Sequence, residues 1–453
     1  MSSNYEELLN EPVEKLINKY IFSTITALLI TQIYNVVDNY FIGKINTQAS
    51  AAVGISMSMM VIIQAIGFMF GQGSGNAIAL YLGKKDLKKA SEIASLGFFG
   101  AIFLGLMLTI FGNIFIVPIS RALGSTDTVL PYVTSYLRII LIGAFYHCAT
   151  LVLNIQLRCQ GKAFYSMVGL MAGAVLNMVL DPILIFKLNL GIRGAAIATA
   201  ISQFISFAVI YNNSRKFDVK LSIENLHLKK EYFLNILIGG IPSLTRQSIN
   251  SIGIMALNNA AAAYGDAAIA AMGIVTRISL LSYSVIIGYG HAFQPICGYN
   301  YSAHRYDRVL KGFWYEIRQS TIFLVVVSIL LSIFAPNMID IFIDDPEVIS
   351  IGATTLRYHT IFLSLNAFMI LATLMMQTIQ MAAQSSILSM LRMGLILIPV
   401  VMVLPKFIGI LGIQLAQPIA DIISFVCTLV VTKHLIDDLE RKKEETLNGS
   451  LQV

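Results

Sequence analysis

Four polar residues set in apolar stretches could do chemistry together. Asp38 lies in IYNVVDNYFIG, Asn177 and Asp181 in NMVLDP, and Thr199 in AAIATA. Asn177 and Asp181 are four residues apart and share one face of a helix. Pro182 follows at once, removing a backbone donor and opening local carbonyls. An ionisable group inside an apolar segment is costly and needs a reason, and an aspartate is too short to reach far toward water. If these four side chains converge, the two carboxylates cannot both stay ionised in a low-dielectric interior without a cation between them. Such a site would hold a proton, or a sodium ion with oxygen ligands. Tyr34, Asn35, Gln64 and Asn154 are polar or aromatic candidates for the wall of a substrate cavity.

The elements that must position these residues follow from composition. Of 453 residues, 56% are hydrophobic and 12% are charged, against roughly 25% charged in an ordinary soluble domain. Mean hydropathy is +0.74. There are too few polar residues to coat a water-soluble globule, so lipid is the solvent for most of the surface. A disordered chain and an ordinary nucleic-acid binder are excluded on the same ground. Runs such as IFLVVVSILLSIFA do not alternate as barrel strands would, and a spanning helix needs about 20 apolar residues. The sequence predicts twelve spans, at 16–41, 50–81, 93–118, 133–158, 163–187, 193–213, 232–262, 268–298, 314–342, 350–380, 385–405 and 409–434. The class is an all-α integral membrane protein.

The longest polar connection, NNSRKFDVKLSIENLHLKKE, divides the chain almost in half. The predicted organisation is an N-terminal six-helix lobe at 1–215, a linker at 216–231, and a C-terminal six-helix lobe with a short tail at 232–453. Most of the 31 Lys and Arg fall on one side of these spans, as in Lys84, Lys85, Lys88 and Lys89, and in Arg305, Arg308 and Lys311. That excess marks the cytoplasmic face and places both termini and the linker inside. The N-terminus has no basic stretch leading into a short apolar core, so no cleavable signal is expected. Cys148, Cys159, Cys297 and Cys427 sit singly and read as small apolar filler.

An internal repeat is legible. AAVG at Ala51 matches AAMG at Ala270, Gly71 matches Gly290, and Gly191-Ile192-Arg193-Gly194 matches Gly409-Ile410-Leu411-Gly412, at offsets of 219, 219 and 218. With six spans per half, the copies share an orientation. The repeat is chemically lopsided. Leu257 stands where the second half would repeat Asp38, and the Ile398-Pro399 region lies opposite Asp181. Arg246 and Asp421 are the polar groups of the second half, read either as hydrogen-bonding anchors or as cavity residues. The glycines of GFMFGQGSGN lack the Lys-Ser/Thr of a phosphate loop, and read as close packing or a bend in the second span.

These residues resemble the multidrug and toxic compound extrusion (MATE) family, and within it the MepA-like bacterial branch. The segments that carry the resemblance are IYNVVDNYFIGKINTQASAAVGI and GYGHAFQPICGYNYSAHRYDRV; His291 and Ser302 stand where the family usually has Gln and Gly. The resemblance implies two pseudo-symmetric six-helix lobes around a central cleft. It implies efflux of cationic or amphipathic compounds by proton or sodium antiport with alternating access, in a multi-pass protein of the bacterial inner (plasma) membrane. It implies that Asp38, Asn177, Asp181 and Thr199 are the ion-coupling site, with no catalytic residues, no cofactor beyond the coupling H⁺ or Na⁺, no other metal and no nucleic acid, in a chain that works as a monomer in the lipid bilayer. The acidic residues that some branches carry on spans seven and ten are absent. So is any proline between Pro12 and Asp38 that would bend the first span.

The main alternative is a lipid-linked oligosaccharide flippase, or another metabolite exporter of the same superfamily. A flippase cleft should be more basic than these first-half spans. An intramembrane aspartyl protease would need a GxGD setting that Asp181, in VLDP, lacks. A passive channel fits a repeat with one lopsided ion site less well than alternating access does.

Overall fold

Apolar runs become helices here until a polar or left-handed residue ends them. The structure, a computed structural model, describes residues 3–450. Its first half holds α1 (Ser3–Asn10), α2 (Val13–Gly43), α3 (Thr47–Gly83), α4 (Leu87–Ile114), α5 (Ile116–Ala122), α6 (Leu130–Ile142), α7 (Ala144–Cys159), α8 (Ala163–Pro182), a π-helical turn Ile183–Lys187, and α9 (Gly191–Ser214). The second half holds α10 (Lys230–Ala262), α11 (Asp266–Ser302), α12 (Tyr306–Ile333), α13 (Ala335–Asp340), α14 (Pro346–Ile361), α15 (Leu365–Thr378) and α16 (Ala382–Met390). A π-helical segment Leu391–Ile396 and then α17 (Leu397–Val403), α18 (Pro405–Ile408) and α19 (Ile410–Ser450) complete it. Side-chain caps fix several starts. Asn46 accepts from the Ala49 amide at 2.7 Å and Asp86 from the Lys89 amide at 3.0 Å, each satisfying a donor that the helix itself cannot.

By length and composition, nine stretches among the described residues can each cross a membrane as one helix, and two bent pairs can each add a span. α10, with 33 residues and a more polar composition, completes the twelve. Two predicted spans are corrected in form. The stretches 133–158 and 350–380 are not single rods: α6 and α7 meet at 52°, and α14 and α15 at 59°. The first break falls at Gly143, and the second follows Ile361 at the equivalent place in the repeat.

Backbone geometry reproduces the repeat that the sequence spelled. Lys85 (φ 61°) and His304 (φ 58°) are left-handed 219 residues apart, as are Gly161 (φ 75°) and Gln380 (φ 65°). Gly191 (φ 54°) and Gly409 (φ 63°) stand 218 apart, each at the start of the last long helix of its half. Such residues end a helix at a fixed place. A side-chain link is also shared: Asn154 donates to the Ser166 carbonyl at 3.3 Å, and at the paired positions Ser385 donates to the Thr373 carbonyl at 3.0 Å.

Contacts divide the chain into two units. Unit 1 comprises Met1–Leu8 and Phe22–Leu244, and unit 2 comprises Leu9–Ile21 and Thr245–Val453. In unit 1 the core gathers α3, α4, α6, α7 and α9 around Tyr136, Leu137, Val152 and Ile236. In unit 2, Lys311 pairs with Glu14 at 2.8 Å and Tyr315 donates to Asn18 at 3.1 Å, which fastens the start of α2 to α12.

The glycines of α3 serve close packing, and α3 runs on unbroken through them. A Cβ added at Gly71 would lie 2.5 Å from Ile155 of α7, and one at Gly73 would lie 2.0 Å from the Ile236 carbonyl oxygen of α10. Gly73→Ala is therefore expected to cost about 1–3 kcal/mol through forced separation of the two helices. Gly54→Ala, where a Cβ meets nothing within 4 Å, should be neutral or slightly stabilising through helix propensity. Thermal unfolding of the two purified variants checks this. Equal midpoints would remove packing as the reason for Gly73.

Candidate functional site

Three helices of unit 1 bring the four residues together. Asp38 comes from α2, Asn177 and Asp181 from α8, and Thr199 from α9. Asn177 points one amide hydrogen at Asp181 Oδ1 (3.2 Å), and its Nδ2 lies 3.5 Å from Thr199 Oγ1. The Asp38 and Asp181 carboxyl groups lie within hydrogen-bonding reach of each other. Asn177, Asp181 and Thr199 are buried, with Asp181 at 0% exposure, while Asp38 is half-buried. The four side chains that the sequence suggested could converge do meet in the fold. The local cause is visible at Asp181. It sits one residue before Pro182, where α8 gives way to the π-helical turn Ile183–Lys187, and a wider turn changes which side chains face inward.

Tyr136, from α6, was missed in the sequence. It is 1% exposed, and its hydroxyl lies within hydrogen-bonding reach of Thr199. A tyrosine in TSYLRIILI gives no polar pattern to notice. The available signal is general: a buried tyrosine hydroxyl needs a partner.

Three oxygens of this cluster carry no hydrogen-bond donor: Asp38 Oδ1, Asn177 Oδ1 and Asp181 Oδ2. Buried acceptors without donors are expensive, and two carboxyl groups in contact repel unless a proton or cation lies between them. The set is all oxygen, the donor chemistry of a hard cation, and it equally suits one shared proton. Either occupant would remove the electrostatic strain.

The four residues proposed for a substrate cavity lie on three helices, α2, α3 and α7. Tyr34 lies one helical turn before Asp38 and is electrostatically coupled to both aspartates, which puts it at the carboxyl cluster. Asn154 is buried and tied to Ser166, with its Nδ2 2.5 Å from the hydroxyl. Asn35 on α2 and Gln64 on α3 are half-buried.

Unit 2 has a polar cluster of a different kind. Arg392, in the π-helical segment, donates from Nε to Asp421 Oδ1 of α19 at 2.8 Å. Asn366 and Gln417 donate to the same carboxylate at 3.2 and 2.9 Å. The guanidinium lies over the Tyr283 ring, 4.1 Å from its centroid, a cation–π contact. Asp421 is therefore an anchor, the first of the two roles considered for it. Gln417 stands at the repeat position of Thr199, 218 residues on. Where unit 1 has a carboxyl pair with no resident cation, unit 2 has one carboxylate with a cation built into the chain. The sequence showed Asp421 but not its partner, because nothing in MLRMGLIL says which way Arg392 turns.

Comparison with known proteins agrees with this architecture. The MatE family pattern matches residues 24–183 and 242–403. The multidrug export protein MepA of Staphylococcus aureus is 28% identical over 443 residues, which is 97% of this chain and 97% of MepA. The MepA of Staphylococcus saprophyticus is 28% identical, covering 93% of this chain and 94% of its own. Among solved structures, an outward-facing multidrug resistance MATE transporter of the MOP superfamily superposes with a TM-score of 0.93 at 24% identity, covering 97% of this chain and all of that one. That likeness is one of fold.

Proposed function

The chain belongs to the MatE family, and on that premise we propose that it exports cationic or amphipathic compounds by antiport with protons or sodium ions. The observation that carries the reading is the buried carboxyl pair Asp38–Asp181 in an all-oxygen setting with three donorless acceptors. A cation or proton arriving from outside neutralises the pair. Asn177, Thr199 and Tyr136 hold the neutralised form, and its helices settle differently from those of the charged form. Export follows when substrate and ion favour different states of the chain, since coupling requires a differential affinity between states. The chemistry belongs to binding and release, and no covalent bond of the exported compound is made or broken. The distribution of Lys and Arg supports both termini in the cytoplasm, and the likeness to bacterial MepA supports a location in the bacterial inner (plasma) membrane. The chain is expected to act as a monomer in the bilayer, without nucleic acid or cofactor.

The test is ethidium transport in everted membrane vesicles that carry this protein, with a pH gradient and a Na⁺ gradient imposed separately. Transport driven by one gradient and not the other establishes antiport and names the ion. Transport indifferent to both, with folded protein in the membrane, removes the ion-coupling role and favours a metabolite or lipid exporter.

A further inference from the structure

Glu316 on α12 is a carboxyl that the coupling site of unit 1 does not use. It is 0% exposed, and neither carboxyl oxygen has a hydrogen-bond partner. It lies ten residues into α12 and two residues inside the predicted span 314–342, past the basic residues Arg308 and Lys311. Its surroundings follow from the packing of α12 on α11. Gly312, one turn earlier, is pressed against Phe293, where an added Cβ would lie 2.7 Å from the ring. One turn on, the same face meets α11 around Tyr289, and Glu316 is electrostatically coupled to Tyr289 and to Cys297. α15 offers it no titratable side chain. The charged groups of the other neighbours are engaged elsewhere: Glu14 of α2 with Lys311, Asp421 of α19 with Arg392, and His359 of α14 is coupled to that pair.

A buried carboxylate with no counter-ion or donor costs several kcal/mol, so the group is a neutral acid in this state. As a neutral acid it makes no hydrogen bond, and an apolar side chain would fill the same volume without the roughly 1–3 kcal/mol penalty of unsatisfied polar atoms. What the carboxyl supplies here, and an apolar residue would not, is an exchangeable proton. The site is not a remnant of the repeat. The matching position in unit 1 is Gly97, beneath a network in which Gln156 donates to Ser74 and to the Ala94 carbonyl at 2.9 and 3.0 Å. In unit 2 the counterparts of Ser74 and Gln156 are Phe293 and Met375.

We propose that Glu316 is a second proton-binding site, carried by unit 2 in the buried face of α12 near the basic end of its span, which holds a proton in this state and releases it to water when α12 and α11 part. The carboxylic O–H bond breaks to give a carboxylate and a hydrated proton, and the reverse step reloads it. The proposal rests on the membrane reading of the chain, and is independent of the role given to Asp38.

The test is infrared difference spectroscopy of the full-length protein in lipid nanodiscs, with pH steps and exchange into deuterated buffer, on the parent, Glu316→Gln, Glu316→Asp and Asp38→Asn. The expected result is a protonated-carboxyl C=O band that shifts on deuteration, diminishes at alkaline pH, vanishes in Glu316→Gln, moves in Glu316→Asp and survives in Asp38→Asn. Proton counting across the same pH step should fall by about one per chain in Glu316→Gln. An acid band that neither exchanges nor titrates would make Glu316 a fixed structural acid and overturn the proposal. So would the absence of any band that responds to the Glu316 variants. If Glu316→Gln does not fold, Glu316→Asp carries the same test. Loss of transport in Asp38→Asn with this band intact would separate the two sites.

Discussion

Asp38→Asn is expected to bring gradient-driven ethidium export down to the level of vesicles without the protein, with normal amounts of folded chain in the membrane. The substitution keeps the shape of the side chain but removes its ability to take a proton or to neutralise a cation. It leaves Asp181 buried, with the Asn177 amide still donating to it. The Asp38 side chain is half-buried, so the fold tolerates the change, and the amide can even donate to Asp181. The defect should lie in coupling and not in stability. Two readouts separate these: protein yield with thermal midpoint, and transport under each gradient. Export at the parental rate from Asp38→Asn would sink the assignment of the unit 1 cluster as the ion site. Asp181→Asn should behave likewise, and the double variant should be no worse than either single one, if the two carboxyls take up the proton or cation together as one group.

Arg392→Leu should produce the largest loss of stability. Asp421 is 2% exposed and relies on Arg392 for its positive charge. Removing one partner of a buried pair strands the other, at a cost of about 3–5 kcal/mol. Asn366 and Gln417 continue to donate to Asp421 but carry no charge to offset it. The double variant Arg392→Met with Asp421→Leu removes both charges and should recover most of the loss. Thermal unfolding of the purified chain reads both. If the single variant matches the parent, or if the double variant is the less stable, the pair is not what holds α19 to the π-helical segment.

The sequence made some features plain and hid others for physical reasons. Hydropathy finds helices because a lipid-exposed backbone must satisfy its own hydrogen bonds, so every predicted span contains a helix. The breaks near Gly143 and after Ile361 were hidden because a bent pair is as apolar as a straight rod. Asn177 and Asp181 were legible as partners because four residues is one helical turn. Their meeting with Asp38 and Thr199 was an inference from cost: each polar group in lipid needs company. Tyr136 escaped because a tyrosine is apolar enough to need no excuse. Arg392 and Glu316 escaped because one reads as a helix-end cation and the other sits in FWYEIRQS, where flanking charge suggests an exposed end of the span. Burial, which separates a solvated charge from a trapped one, depends on neighbours on other helices, such as Asp421, 29 residues from Arg392, and no local pattern encodes it.

The membership of the two units bears on how the protein is made. Leu9–Ile21 leaves the ribosome before nearly all of unit 1, yet it belongs to the unit whose other residues begin at Thr245. Its fastenings to α12, among them Tyr315 to Asn18 and Arg308 to the Glu11 carbonyl, each close a loop of 297 residues. Unit 1 in turn closes only when synthesis passes Leu244. Neither unit is therefore complete when the first half of the message has been read, and the segment Leu9–Ile21 must wait without these partners until α12 arrives. A gene split at the polar connection after Ser214 would yield two products, each lacking a segment that the other carries. Co-expression of the two, not either alone, is the arrangement in which they could be restored.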